Sequence, residues 1–251
     1  MMPKPIICLT LPCILMTLSF YSPLLLAKDL VTVKEKPRSA SILDLAKLNI
    51  SCATNTKVIP IVVHRTTRSK QIKAPHGLDN DQTWLQAQLK EAQALFGQVG
   101  LCFRFSLERS LPQSESIMKT RTQRTRLGRL KGRLHRGQID LFIVNKLADV
   151  DVPNTEIRGV HWRDPKDRKN KRWIILSRIA RPKVLAHELG HYFDLPHSKY
   201  PKSIMNKKPR KQPPMSKRGF VQAEYSIIQR AWKRMKKTDH LKPYPFESGK
   251  E

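Results

Sequence analysis

The chain has 251 residues, of which 39% are hydrophobic, and its 48 Lys and Arg residues against 20 Asp and Glu residues give a formal net charge of +28. A chain of this length and hydrophobic content can bury a core of its own, so the composition excludes a disordered protein and favours a single domain of moderate size. The excess positive charge attracts polyanions such as nucleic acid, anionic lipid or acidic cell-wall polymers, or it serves solubility alone.

The N-terminal segment matches the pattern of a secretory signal. Lys4 precedes an apolar, uncharged run from Ile6 to Ala27, and charged residues follow at once. This pattern predicts a signal peptide over residues 1–27 and a secreted or periplasmic protein. The run is longer than most signal cores and Leu25 is bulky for its place before the cut, so an uncleaved membrane anchor is the alternative.

Two cysteines, Cys52 and Cys102, remain after such a cleavage. An even pair in an exported protein predicts a disulfide bond between them. The segment before the first strand is polar, apart from the short helix candidate "SILDLAKLNI". The predicted organisation is a signal peptide at 1–27, a lead-in or short pro-segment at 28–56, a domain at 57–240 and a C-terminal tail at 241–251.

The first elements of the domain are a strand and a helix. In "KVIPIVVHRTT" the β-branched run from Val58 to Val63 predicts a buried strand, in which Pro60 indicates an edge position or a bulge. The capping residues Asn80 and Asp81 then precede apolar residues at steps of four and three, which predicts an amphipathic helix. These apolar residues are Leu85, Leu89, Ala92, Phe96 and Val99.

More strands follow before the next helix. "LCFRFSL" alternates apolar and polar residues, and "IDLFIVNK" from Ile139 is apolar on both faces, which predicts a central strand. "RGVHWR" and "RWIILS" are two further strand candidates on either side of a charged turn. The order of these elements predicts an α+β fold with a mixed, twisted sheet and helices packed against it.

A strongly basic segment, "KTRTQRTRLGRLKGRLHR" at 119–136, lies between the second and third strands. Its eight Lys and Arg residues are typical of a mobile, solvated loop. Its leucines stand at helical steps, so the alternative is a basic amphipathic segment that binds a membrane surface or nucleic acid. No aromatic residue is interleaved for base stacking, and no specific nucleic acid recognition is predicted.

The stretch "RPKVLAHELGHYFDL" predicts a buried helix that carries a metal site. His187 and His191 are four residues apart, so both imidazoles lie on one face of the helix and can share a tetrahedral Zn²⁺. Glu188 points beside such an ion, where its carboxylate can take a proton from water.

A third ligand requires a sharp turn after this helix. Pro196 forbids helical continuation, and Asp194 is one of the few non-glycine residues that tolerate a left-handed conformation. His197 can then return to the metal. Three protein ligands leave the fourth position for water, which is the arrangement of a catalytic zinc site rather than a structural one.

The segment "HELGHYFDLPH" resembles the metzincin zinc-peptidase signature HExxHxxGxxH at His187, Glu188, His191 and His197. Eight residues later "SIMN" is similar to the Met-turn, with Met205 as its methionine. The resemblance implies a metzincin-like zinc peptidase domain, in which an active-site helix and a C-terminal helix pack against the sheet. It also implies that an extended substrate binds along an edge strand formed by Gly159, Val160, His161 and Trp162.

The sequence departs from the metzincin pattern at two positions. Asp194 occupies the glycine position of the signature, and its carboxylate can reach the metal or its surroundings. Lys207 stands where some subfamilies add a tyrosine ligand. No "PRCGxPD"-like latency segment precedes the domain, and a role for Cys52 as a latency ligand is the alternative to its disulfide.

The sequence therefore predicts a secreted zinc-dependent endopeptidase with one catalytic Zn²⁺ and Glu188 as general base. Its predicted substrate is a protein or peptide. Two alternatives stay open: a cationic polyanion- or surface-binding protein with a vestigial zinc site, and a zinc hydrolase of a non-peptide cell-wall amide. Glu224, on a later predicted helix, is the alternative third ligand of a gluzincin-like site. The remaining histidines are interpreted as ordinary surface or core residues, namely His64, His76, His135, His161 and His240.

Overall fold

A five-stranded sheet organises the computed structural model of the chain. Its strands stand in the order β2-β1-β4-β7-β6, and all neighbours pair in parallel except β6, which runs antiparallel to β7 at one edge. A second, two-stranded sheet pairs β3 with β5. The strands are β1 Lys57–Arg65, β2 Leu101–Ser110, β3 Ile117–Met118, β4 Ile139–Val144, β5 Lys146–Leu147, β6 Gly159–Arg163 and β7 Arg172–Ser177.

Five α-helices accompany the sheets in the part of the chain that the structure describes, which is residues 42–72, 78, 80–130, 136–164, 166–167, 170–207 and 213–243. None of these helices is long and apolar enough to cross a membrane. The predicted signal peptide, His76 and His135 lie outside the described residues. The helices are α1 Leu45–Leu48, α2 Asp81–Phe96, α3 Arg121–Arg129, α4 Val184–Tyr192 and α5 Gln222–Lys237.

One hydrophobic cluster packs on each face of the five-stranded sheet. Because successive side chains of a strand point to opposite faces, Leu141 of β4 joins the larger cluster and Phe142 joins the smaller one. Apolar residues of α2, α4 and α5 complete the larger cluster, and Leu127 of α3 joins the smaller one. The predicted central position of β4 is confirmed, as is the mixed sheet with helices packed against it.

The prediction for Pro60 is partly wrong. β1 is an interior strand between β2 and β4, not an edge strand. The missing N–H of Pro60 is tolerated because the ladder between β1 and β4 begins only at Ile61. The register with β2 shifts between Ile61 and Val62, so the alternative of a nearby bulge is confirmed.

The basic segment is the clearest departure from the sequence-based expectation, because residues Arg121–Arg129 form helix α3 rather than a loop. Thr120 accepts a hydrogen bond from the backbone N–H of Gln123, whose side chain accepts one from the backbone of Thr120 in return. This capping box starts the helix, and burial of Leu127 holds it on the sheet. Gly128 lets Trp173 pack closely, since a Cβ there would lie 2.3 Å from the indole ring.

The residues before β1 also belong to the folded unit. Leu43 and Leu48 join the larger hydrophobic cluster, and Asn49 donates its side-chain N–H to the carbonyl oxygen of Phe105. The predicted disulfide between Cys52 and Cys102 is present, with a sequence separation of 50 and 5.9 Å between the Cα atoms. Cys52 is therefore engaged with β2, and the predicted division of the chain at residue 56 stays a prediction.

A fully buried arginine joins the ends of the parallel strands. Arg178, directly after β7, donates to both carboxylate oxygens of Asp81 at the start of α2, at 2.9 and 2.8 Å. It also donates to the carbonyl oxygen of Thr66 after β1, at 2.6 Å, and to the side-chain oxygen of Asn145 after β4, at 2.7 Å. Burial alone would raise the pKa of Asp81, but the hydrogen bonds and charge of Arg178, together with Arg65, hold it below its usual value.

We predict that Arg178→Met lowers the free energy of unfolding by about 3–5 kcal/mol, because Asp81 keeps its buried charge and loses its main partner. The matched control is Arg121→Met, whose ion pair with Asp151 is exposed on both sides and should contribute less than about 1 kcal/mol. Urea unfolding curves of both variants provide the measurement. Equal losses in the two variants would show that the buried arginine has no special structural role.

Candidate metal centre

Three histidine side chains meet at the C-terminal half of α4. His187 and His191 lie on this helix, one turn apart, and His197 follows the turn after it. One ring nitrogen from each lies within 4.8 Å of the other two. The ring centroids of His191 lie 4.8 Å from those of both other histidines. The structure thus brings together the three predicted ligands in a group that fits a single metal ion.

A left-handed residue brings the third histidine back to the first two. Helix α4 ends at Tyr192, and Asp194 adopts a φ of 66°, in the region that sequence analysis predicted for it. The N–H of Leu195 then donates to the carbonyl oxygen of Gly190 at 2.9 Å, which reverses the chain direction. His197 lies at the exposed end of this turn.

Backbone carbonyls orient two of the three imidazoles. Nδ1 of His187 lies 2.8 Å from the carbonyl oxygen of Ile204, and Nδ1 of His191 lies 2.7 Å from that of Leu195. A carbonyl only accepts, so each Nδ1 carries the proton and each Nε2 is left with a free lone pair. Burial lowers the pKa of all three histidines, which favours the neutral form that binds a metal.

Met205 lies directly beneath the histidines. It is fully buried, and a Cβ on Gly190 would come within 2.7 Å of its sulfur, so the glycine allows α4 to rest on this side chain. The hydroxyl of Ser203 donates to the carboxylate of Glu224 at 2.8 Å and accepts from the N–H of Met205 at 2.9 Å. Glu224 thus ties this turn to α5, and among the described residues it is no member of the metal-binding group.

The carboxylate of Glu188 is buried beside the histidines, between α4 and the edge strand β6. Its Oε2 accepts a hydrogen bond from the backbone N–H of His161 at 2.7 Å. Burial raises the pKa of Glu188 to about 7, although the charge of His191 and the hydrogen bond from His161 act in the opposite direction. Gly159 permits this approach, since a Cβ there would lie 3.0 Å from Cγ of Glu188.

The predicted substrate strand is the edge of the sheet. β6 pairs with β7 on one side, and no described strand covers its other side. Trp162 donates its indole N–H to the hydroxyl of Thr125 at 3.1 Å, and Arg124 lies over its ring. Helix α3, which the sequence offered only as the alternative to a loop, therefore contacts this strand.

Comparison with known proteins agrees with this geometry. The family model of the matrixins, Peptidase_M10, matches residues 57–230. The chain belongs to the matrixin family. With its histidine group it is a metzincin-type zinc metallopeptidase, and no curated protein matches the chain.

Two solved structures are similar to this matrixin at low identity. An archaemetzincin from Methanopyrus kandleri is 17% identical with a TM-score of 0.44, and the match covers 74% of this chain and 100% of that one. Metalloproteinase-II from Bacteroides fragilis is 11% identical with a TM-score of 0.48, and the match covers 72% of this chain and 55% of that one.

Two arginines hold Asp194, and sequence analysis identified neither of them. Arg172 of β7 donates to Oδ1 of Asp194 at 3.0 Å and to the carbonyl oxygen of Tyr192 at 2.8 Å, while Arg234 of α5 pairs with Oδ2. The side chain of Arg172 is only 6% exposed. The carboxylate of Asp194 thus joins the turn before His197 to the sheet and to α5 instead of facing the metal.

We predict that Asp194→Asn weakens zinc binding by about 10–100-fold, as loss of a group that orients a metal ligand typically does. Asparagine tolerates the left-handed conformation but leaves the buried Arg172 without its anion. Competition with a chromophoric chelator measures the affinity. Asp239→Asn is the matched control, because Asp239 is also left-handed, with a φ of 52°, and its ion pair with Lys242 is exposed.

Asp194→Gly separates the effect of the left-handed backbone conformation at this position from the effect of the carboxylate charge. Glycine restores the residue of the family signature and adopts the left-handed conformation freely, but it carries no charge. Zinc affinity equal to that of the wild type in Asp194→Gly would mean that conformation alone orders the turn. We expect instead a loss similar to that of Asp194→Asn.

Two of the remaining histidines are partly buried close to Tyr192. The ring of His161 packs edge-on against Tyr192 at 5.8 Å between centroids, and Nε2 of His240 lies 3.3 Å from the tyrosine hydroxyl. Burial, with the positive charge of Arg172, lowers the pKa of His161 to about 3 and that of His240 to about 4. His64 is a core residue stacked on Phe142, as interpreted from the sequence.

We predict that stability falls as the pH decreases from 6.5 towards 3. His161 binds a proton in the unfolded chain below its ordinary pKa of about 6.5 but stays neutral in the folded chain, so its contribution is present above pH 6.5 and is lost below it. At pH 5 the free energy of unfolding is lower by about 2 kcal/mol because of this residue. Urea unfolding of the zinc-free protein at pH 7 and pH 5 measures it, and His161→Phe should show a smaller difference between the two pH values than the wild type.

Proposed function

We propose that this matrixin is a secreted endopeptidase in which His187, His191 and His197 hold one zinc ion and Glu188 is the general base. The observation that carries the proposal is the hydrogen bond from the N–H of His161 to Glu188. In the antiparallel ladder, His161 and Ile174 of β7 form a pair that exchanges no hydrogen bond, so the N–H of His161 points to the outer edge of β6, where Glu188 accepts it. The carboxylate therefore lies at the free edge of β6, along which a substrate backbone would pair.

The donor set fits zinc. It consists of three imidazoles with lowered pKa values, two of which are oriented by backbone carbonyls, and it leaves one tetrahedral position open. Zinc bound there supplies Lewis acidity that polarises a carbonyl oxygen and lowers the pKa of water. Neither Asp194 nor Glu224 competes for the ion, because their carboxylates are engaged with Arg172 and Ser203.

The protein residues account for the remaining steps of peptide hydrolysis. The free edge of β6 binds the substrate as an added strand and holds the scissile carbonyl near the histidines. Glu188 accepts a proton from the attacking water and passes it to the leaving amine. Burial, which raises the pKa of this carboxyl, and its fixed position at β6 suit a group that accepts a proton and then donates it.

Secretion is part of the proposal and rests on two observations. The N-terminal sequence matches a signal peptide at 1–27. The disulfide between Cys52 and Cys102 supports an oxidising compartment, since such bonds are rare in the cytosol.

We also propose that exposed cations of α5 attract polyanions. The described arginines of α3 are engaged internally, as in the ion pairs of Arg126 with Glu115 and of Arg129 with Asp164. Apart from Arg234, which pairs with Asp194, the exposed cations of α5 lie away from its buried face and have no ion pair within the described residues. They are Arg230, Lys233, Lys236 and Lys237.

We predict that Glu188→Gln keeps about one zinc per chain and lowers peptide turnover by about 10²–10⁴-fold, because glutamine binds in the same place but accepts no proton. His197→Ala should lose the zinc itself, and Asp151→Asn, which removes an exposed carboxylate paired with Arg121, should change neither quantity. Metal analysis and cleavage of a peptide library are the measurements. A wild type that is loaded with zinc and cleaves no peptide would contradict the endopeptidase proposal, and equal turnover in Glu188→Gln would contradict the role of the glutamate.

A further inference from the structure

A cavity opens beside the metal centre, next to His187 and Glu188. Its volume is about 530 Å³, which lies within the range of small-molecule sites. A cavity of this volume has enough room for a long substrate side chain. Its walls are largely apolar and come from four segments of the chain. The apolar side chains of the wall are those of Ile157, Pro182, Val184, Ile204 and Met215.

Positive charge surrounds this cavity without a matching set of acids. Arg158, Arg181 and Lys207 line it, all three are exposed, and none forms an ion pair with another described residue. Glu156 also lines the cavity, but it faces Lys146 at 3.9 Å. Glu188, the remaining acid, is buried and bound to β6.

A fourth cation of the lining has a structural role instead. The ammonium group of Lys183 donates to the carbonyl oxygens of Ser216 and Arg218 at 2.7 and 2.8 Å. These bonds fix the segment that carries Met215 against the start of α4. The cavity wall is therefore held in place before any ligand binds, and the three exposed cations are free to contact one.

An apolar side chain would contact the walls, but it would displace water from the three cations and offer them no hydrogen-bond acceptor in its place. An acidic side chain packs its methylene groups on the same walls and offers oxygens that accept charge-assisted hydrogen bonds from the arginines. The lining therefore discriminates between two side chains of equal size by charge.

We propose that this cavity binds an acidic side chain of the substrate next to the cleaved bond, so that the enzyme prefers peptides with a carboxylate at one position. The inference rests on the proposed endopeptidase function and names its substrate class. Arg158, Arg181 and Lys207 are the specificity-determining residues. Partly exposed pairs each contribute little, so three together should give a preference of about tenfold or more.

Paired peptides that differ only by Glu or Gln, placed in turn at each position around the cleaved bond, test the inference, because the two side chains match in size. For the wild type we expect kcat/KM to favour Glu at one position by about tenfold or more. The variant Arg158→Gln, Arg181→Gln and Lys207→Gln should reduce this ratio to near one. The matched control removes three exposed cations elsewhere, through Lys57→Gln, Lys90→Gln and Arg104→Gln, and should keep the ratio.

A second readout does not depend on turnover. Zinc-loaded Glu188→Gln should bind the Glu peptide more tightly than the Gln peptide in fluorescence anisotropy, by a similar factor. A wild-type ratio within twofold at every position, or an equal effect of the control variant, would overturn the inference while peptide cleavage still supports the endopeptidase. Cleavage of no peptide would overturn the endopeptidase proposal, and the binding ratio would then decide the inference by itself.

Discussion

The buried guanidinium of Arg178 is the interaction on which the arrangement of the sheet and the helices depends. A charge with no exposure to water is tolerated only when every donor finds an acceptor, and these acceptors come from the ends of β1 and β4 and from Asp81 at the start of α2. Three parallel strands must therefore end at one level, next to the first turn of α2. Any shift of one of them would leave a buried charge or carbonyl without a partner.

The same helix then sets the position of the metal centre. The indole N–H of Trp84 and the side-chain amide of Gln88 both donate to the carbonyl oxygen of Ala180, in the connection from β7 to α4. The side-chain oxygen of Gln88 accepts from the N–H of Leu185, one of the amides that lack a partner within the first turn of α4. Arg178 fixes the position of α2, and α2 in turn fixes the start of α4. The positions of His187 and His191 therefore depend on contacts outside the metal centre.

The sequence predicted those parts of the molecule that follow from local patterns. The spacing of His187, His191 and His197, the helix that carries the first two and the central strand β4 are all encoded within short windows. The arginine contacts are not, since Arg178 and Asp81 are 97 residues apart and Arg234 and Asp194 are 40 apart. For 119–136 the charge favoured a loop and the helical spacing of the leucines was only the alternative, whereas the capping box of α3 and its packing on the sheet outweigh that composition.

Charge is distributed in this protein so that the interior is balanced and the excess lies outside. Among the described residues six acidic side chains are buried, and six Lys and Arg side chains are buried with them, so none of the net charge of +28 has to be accommodated in the core. An exposed excess acts over a Debye length of about 10 Å in 0.1 M salt and weakens as salt is added. Folding stability and the field of the surface charges can therefore vary independently: salt screens the exposed positive charges, while the buried pairs around Arg178 and Arg172 are largely shielded from it.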